Sequence, residues 1–321
     1  MRSKNRKILS DLLGKYIVYV IFLLSLLLFG IWLGGTFFSL RNLLNITRQS
    51  GAIVVLSVGM VFIIGMGHID LSIGSVVAVT SLTIAIILRD TNNIPLALLV
   101  ALGIGAVIGL FNGLCVTRLG MPAFLTTLGT QSVLTGIAMW MTNTKAVPIT
   151  NQNFLFAFGD GNVGGIPVLF IWALIATVIG HIVLKNTAYG RRVLAVGGNR
   201  IAAGYSGVNV KHTELSAFLV QGLLAAVAGA LYSGRANAAR WDFGKGVEMN
   251  VIAAVVLGGT AMSGGNGSIV GAMIGSFLIM MINNGLVIGG LGTAQQTLMQ
   301  GVIIIIAVAL SELGKMQKKK I

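Results

Sequence analysis

The sequence predicts an all-α, polytopic membrane protein. Three observations predict it. The 321 residues are 55% hydrophobic and only 9% charged, whereas a soluble domain carries about a quarter charged residues. The mean hydropathy is +0.92. Apolar runs near the ~20 residues needed to cross a bilayer recur along the chain. A membrane β-barrel would show short alternating segments instead.

About ten transmembrane helices are expected, at 16–34, 50–67, 71–88, 95–115, 122–142, 167–184, 214–232, 248–262, 267–287 and 297–313. The first follows MRSKNRK and is too long for a signal-peptide core of about 7–15 residues, so it reads as a retained span. With the N-terminus inside, inner segments hold fifteen of the 22 basic residues, among them Arg2, Lys15, Arg118, Lys185, Arg191, Arg192 and Lys315. That bias predicts cytoplasmic N- and C-termini. It also accounts for the net charge of +14: basic residues flank spans, and the surroundings are membrane lipid, with no nucleic-acid partner. Cys115 lies in an apolar run beside Gly113 and reads as a small packing residue.

Two segments depart from plain spans. In 35–49, Phe37, Leu40, Leu43 and Leu44 follow helical spacing with Arg41, Asn45 and Arg48 between them, which suits a short helix at the outer interface. The stretch 151–167, NQNFLFAFGDGNVGGIP, is polar and glycine-rich and reads as an external loop.

The segment GMGHIDLSIGS (65–75) places a carboxylate and several glycines between apolar runs. A charge inside a membrane costs about 2.5–3.5 kcal/mol on insertion scales. Broken backbone is tolerated there only when protein or a watery cavity surrounds it. Asp70 is expected to cap the start of the next span by accepting backbone N–H bonds near Ile73, and His68 to lie at the inner surface. Shifting the chain by 193 residues lays 64–77 over 257–270, so that Gly65 meets Gly258, Gly74 meets Gly267 and Ser75 meets Ser268. Matching glycine-interrupted segments point to transporter binding sites. The second one, GGTAMSGGNGS, has no charge. The spacings Gly105 to Gly109 and Gly271 to Gly275 suggest close helix packing.

Polar residues inside or beside the spans are Asp70, Ser72, Ser75, Asn112, Thr126, Thr127, Gln131, Gln221, Asn283 and Asn284. They suit either helix-to-helix hydrogen bonds or the lining of a path for a neutral, hydroxyl-rich solute. No phosphate-binding loop, HExxH, CxxC or nucleophile elbow occurs. The charged residues offer no convincing acid–base pair, so no enzyme activity, metal or cofactor is expected. A gradient-driven transporter would have to rely on Asp70, Glu248 and His68.

The basic segment 185–212 is expected to form a cytoplasmic loop carrying a short helix, capped by Asn199 and stopped by Gly207. Here GHIDLSIGS, GRRVLAVGGNRIAAGYSGVNV and VIAAVVLGGTAMSGGNGSIVGA together resemble the sugar ABC importer permeases of the ribose, xylose and arabinose type. The resemblance runs in order from about Phe37 to Leu310. Gly197, Gly198, Asn199, Ala202, Ala203, Ser206 and Gly207 match the family's loop motif, while Asn250 stands where the family has an acid. The resemblance implies a single permease domain, 1–321, in the bacterial inner membrane. Its implied partners are an ABC ATPase subunit, a periplasmic sugar-binding protein and a second permease copy or a related permease. It also implies a coupling helix near 199–207 that docks on the ATPase, with Gly190, Arg191, Asn199, Ala202, Ala203, Ser206 and Gly207 as coupling residues.

Overall fold

The computed structural model describes residues 2–292, 294–299, 301, 302, 305 and 309, with the backbone alone for 2–17. It is a helical bundle. The chain begins with α1 (Arg2–Leu33) and a single turn, α2 (Gly35–Phe38). Three long helices follow, α3 (Leu40–Gly65), α4 (Ile73–Thr91) and α5 (Ile94–Thr117), then α6 (Ala123–Thr142). One end of the bundle carries β1 (Val147–Pro148), α7 (Gln152–Phe158), β2 (Asn162–Val163) and β3 (Ile166–Pro167). The chain returns through α8 (Val168–Asn186) to the opposite end, which holds α9 (Ala188–Gly198) and α10 (Arg200–Tyr205). Then come α11 (Val210–Ala236), β4 (Ala238–Ala239), α12 (Val247–Leu257) and α13 (Ile269–Ile288).

Six described helices are long and apolar enough to cross a membrane: α3, α4, α5, α8, α11 and α13. Six of the expected ten are thus met by length and composition among the described residues. Helix α6 has the expected extent, but Thr126, Thr127, Thr130, Gln131, Ser132 and Thr135 dilute its apolar character. Helix α12 has only 11 residues, about 16 Å at 1.5 Å per residue, roughly half a hydrocarbon core. The expected span 248–262 is therefore cut short at Gly258, whose N–H still bonds Ala254 O, before Gly259 turns at φ +90°. The expected span 297–313 lies largely outside the described residues.

Two further expectations need correction. Segment 35–49 is no separate interfacial helix: Ser39 caps α3 by accepting the Asn42 N–H, and the helix then runs unbroken to Gly65, because nothing near Arg48 interrupts it. Segment 151–167 crosses nothing, but it is folded. Asn151 caps α7, Phe158 stacks on Trp172, and β2 and β3 form a hairpin closed by Gly164 and Gly165, both in the left-handed region.

Packing runs opposite to that of a soluble bundle. The α3 span, with mean hydropathy 1.7, is 89% buried, whereas the α5 span, at 2.6, is 22% buried. The most apolar surface faces outward, as lipid demands, and the interior is joined by small residues. A Cβ on Gly105 would strike Gly222 O, one on Gly222 would strike Gly105 O, and one on Gly109 would strike Phe218 O. Gly271 and Gly275 lie just as closely on Gly258 O and Ala254 O. Both glycine spacings thus mark helix contacts. Cys115 is buried. The substitution Gly222→Leu should separate α5 from α11 and cost about 1–3 kcal/mol or more, seen as a lower thermal midpoint in detergent. Gly129→Ala, at a position with open space, should leave the midpoint unchanged.

Candidate functional site

The two glycine-interrupted segments meet. Helix α3 ends where Gly67 turns at φ +81° and donates to Ile64 O at 2.8 Å. Helix α12 ends similarly, and Gly264 and Gly265 both turn at φ +80°. The Gly265 N–H then donates to Gly65 O at 2.9 Å, bonding one break to the other. Gly197 of α9 closes the junction: a Cβ there would strike Gly65 O and come within 2.6 Å of Gly265 N. The repeat seen in sequence is therefore a repeated feature in space, with both breaks at the end of the bundle that carries α9 and α10.

From the first break a buried polar chain runs across three helices. Asp70 Oδ1 accepts from the Ser72 N–H at 2.9 Å and the Ser72 hydroxyl at 2.6 Å. Ser72 Oγ accepts from Asn112 Nδ2 at 3.0 Å, and Asn112 Oδ1 accepts from the Thr130 hydroxyl at 2.6 Å. The Leu71 N–H donates to Thr127 Oγ1 at 3.0 Å, and the Ser75 hydroxyl donates to Ser72 O. Asp70 thus organises the backbone entering α4, but as a two-residue turn on Ser72 rather than as the cap expected near Ile73. The reason is local: Ser72, already in helical geometry, is the residue that precedes α4.

A second polar pair lies one turn along α6. Gln131 Nε2 donates to Glu248 Oε1 at 3.1 Å, in the first turn of the half-length α12, while Glu248 Oε2 has no partner. Gln221 is fully buried without a hydrogen-bond partner, its Oε1 pressed into the notch where Gly59 lacks a side chain. The Thr126 hydroxyl donates back to Pro122 O. Asn284 is buried on α13, where the adjacent Gly285 packs on Phe29 of α1, and Asn283 shares that part of α13. The structure thus gathers Asp70, Ser72, Ser75 and Asn112 into one network, places Gln131 beside it, and leaves Gln221, Asn283 and Asn284 elsewhere.

A third cluster escaped the sequence reading. Glu214, fully buried in the first turns of α11, lies between His68 Nε2 at 3.2 Å and Arg200 Nη2 at 2.9 Å. This carboxylate–imidazole–guanidinium cluster was not foreseen from the sequence. The partners of Glu214 stand 146 and 14 residues away, a distance no local pattern records. The one available signal was a lone carboxylate opening an apolar helix, where the helix dipole favours negative charge. His68 is partly exposed beside a cavity of about 600 Å³, also lined by Arg118, Phe124, Arg200 and Lys211.

Segment 185–212 is a pair of short helices, not a loop with one helix. Asn199 caps α10, accepting from the Ile201 and Ala202 N–H groups at 3.1 and 3.0 Å, and Gly207 follows it at φ +83°. Ile201, Ala202, Tyr205 and Ser206 are exposed, as is Arg191. Gly190 and Ala203 are buried, and a Cβ on Gly190 would strike Leu184 O. These two brace the helix pair from within.

With this geometry in place, comparison with known proteins assigns the chain. Residues 42–308 match the family model of branched-chain amino acid transport system permease components. The chain belongs to this family. It is 37% identical over 279 residues to the ribose import permease of Bacillus subtilis strain 168, covering 87% of each chain. To the ribose import permease of Escherichia coli K12 it is 37% identical over 280 residues, covering 86% of this chain and 87% of the relative. To the galactose/methyl galactoside import permease of Escherichia coli K12 it is 35% identical over 337 residues, covering 99% and 100%. No solved structure matches. The permease is a multi-pass protein of the inner membrane. In it, Asn112→Leu should strand the Ser72–Thr130 chain and cost about 1–3 kcal/mol, read as a lower thermal midpoint in detergent, with Asp70→Leu doing the same.

Proposed function

We propose that this permease carries a monosaccharide of the pentose or hexose class across the bacterial inner membrane, driven by a partner ABC ATPase. The observation that carries the reading is α10: a capped helix with Ile201 and Tyr205 exposed, tied through α9 and Glu214 to both the glycine junction and the first break. An apolar, well-ordered helix at the end of a bundle is a surface for a partner protein. In this reading α9 and α10 are cytoplasmic, both termini are cytoplasmic, and the crossings among the described residues comprise α1, α3, α4, α5, α6, α8, α11, the half-helix α12 with its lead-in 240–246, and α13.

ATP-driven closure of the ATPase moves α10 as a rigid body, and the permease alternates between outward and inward access. Ribose and galactose import by the relatives favours a neutral sugar. A periplasmic binding protein delivers it and sets specificity, so the permease needs only weak polar contacts. Helix α6 supplies them: Gln131 is half-exposed, Ser132 is exposed, and Gly129 and Gly136 meet nothing. The small residues there allow close approach and suit a path shared with a second permease copy or a related permease. Asp70, Ser72, Ser75, Asn112 and Thr126 brace this path, and Gln221, Asn283 and Asn284 brace the helices behind it.

The decisive experiment is purification with the ATPase that accompanies the chain, reconstitution in lipid, and uptake of ribose and galactose with loaded binding proteins. ATP-dependent uptake of one sugar confirms the reading, whereas uptake that follows a proton gradient without ATP refutes it. Tyr205→Glu, at a site 90% exposed, should abolish ATP-dependent uptake while leaving the thermal midpoint unchanged. Undiminished uptake would remove α10 from the docking surface.

A further inference from the structure

We propose that Glu214 is a positioning residue that latches the docking helix α10 to the first glycine break, so that the two move together. This rests on the permease reading and adds to it the element that passes motion inward.

Glu214 uses both carboxylate oxygens, and on different elements. Oε1 meets His68, inside the break, and Oε2 meets Arg200, the first residue of α10. Among the described residues no other side-chain hydrogen bond or ion pair forms such a bridge between α10 and the break. The contacts of Gly197 with the two breaks are tight but fix only separation, whereas a shared carboxylate also fixes alignment. A fully buried carboxylate is costly unless paired on geometry that suits it. An apolar residue would fill the space without that cost. Displacing α10 alone would therefore leave Glu214 short of a partner, while displacing α10 with the break keeps both bonds.

The break leads on to the translocation machinery. His68 lies two residues from Asp70, whose chain through Ser72, Asn112 and Thr130 reaches α5 and α6. The cavity of about 600 Å³ beside His68 and Arg200 leaves the latched unit open space on one side. A shift of α10 thus reaches α6 through two polar clusters joined by the backbone of residues 68–70, with Glu214 as the first link.

The test is sugar imported per ATP hydrolysed, measured on the reconstituted permease–ATPase complex with its loaded binding protein. Glu214→Gln keeps the size of the side chain but removes its charge. It should leave complex assembly and hydrolysis within about twofold and lower the import-to-hydrolysis ratio at least fivefold. Arg200→Gln should do the same, and because the Arg200 side chain is 57% exposed it carries the test if Glu214→Gln fails to fold. The double variant should fall no further than either single one. His68→Gln, which keeps a donor for Glu214, should retain the ratio, while His68→Leu should lose it. An unchanged ratio in Arg200→Gln, or losses that multiply in the double variant, overturns the latch and leaves the permease reading intact. Loss of ATPase binding in Arg200→Gln alone puts Arg200 in the docking surface and also overturns it. No ATP-dependent uptake by the unmodified complex overturns the permease reading and the latch with it.

Discussion

Inside a bilayer a peptide group has only protein to bond with, and each one left unpaired costs several kcal/mol. This chain breaks its helices twice within its apolar length, at 66–72 and 258–268. The breaks survive because they serve one another. Gly65 offers its carbonyl to Gly265, and Gly197 lets α9 lie directly against both. A Cβ at Gly197 would strike Gly65 O, and Gly265 turns at φ +80°, so two glycines from distant parts of the sequence are required together. The placement of α9, the start of α13 and the approach of α10 to His68 all follow from that junction.

The same constraint governs the polar groups. Asp70 is spared the cost of isolation by the N–H and hydroxyl of Ser72, and the hydroxyls of Thr127 and Thr130 also return a bond to their own helix. Short side chains that satisfy themselves locally can join helices without leaving loose ends. Glu214 differs, because its two partners both come from outside its own helix, which makes it sensitive to their relative position. Glu248, with one oxygen engaged and one unpartnered, lies in the first turn of the short α12, where the dipole favours its charge.

Much of this was legible in the sequence. Helices α4, α5, α8 and α13 lie within a few residues of their expected places, since apolar length alone defines them. The caps Asn199 and Gly207 were legible because both act within three residues. The repeat was legible through Gly65, Gly258, Gly74 and Gly267. What escaped was whatever depends on distant partners. Nothing in the sequence near Gln131 announces Glu248, and nothing near Glu214 announces His68. The short α12 escaped because Ala261 and Met262 prolong the apolar character past Gly258 and Gly259, where the backbone stops the helix. The exposed face of α10 was only half legible: Ala203 and Gly190 look like the rest of their segment, and burial alone sets them apart from Tyr205.

Helix α11 has 27 residues, about 40 Å at 1.5 Å per residue. It joins the end bearing α10 to the end bearing α7 and β4. Near its midpoint Gly222 lies backbone to backbone against Gly105. The contact is repeated along the rod: Gly109 lies on Phe218 O, Gly229 on Thr80 and Gly234 on Phe158 O. A helix clamped at so many places acts as a keel: it sets the spacing between the two ends of the bundle, and a neighbour that moves along it must slide backbone past backbone.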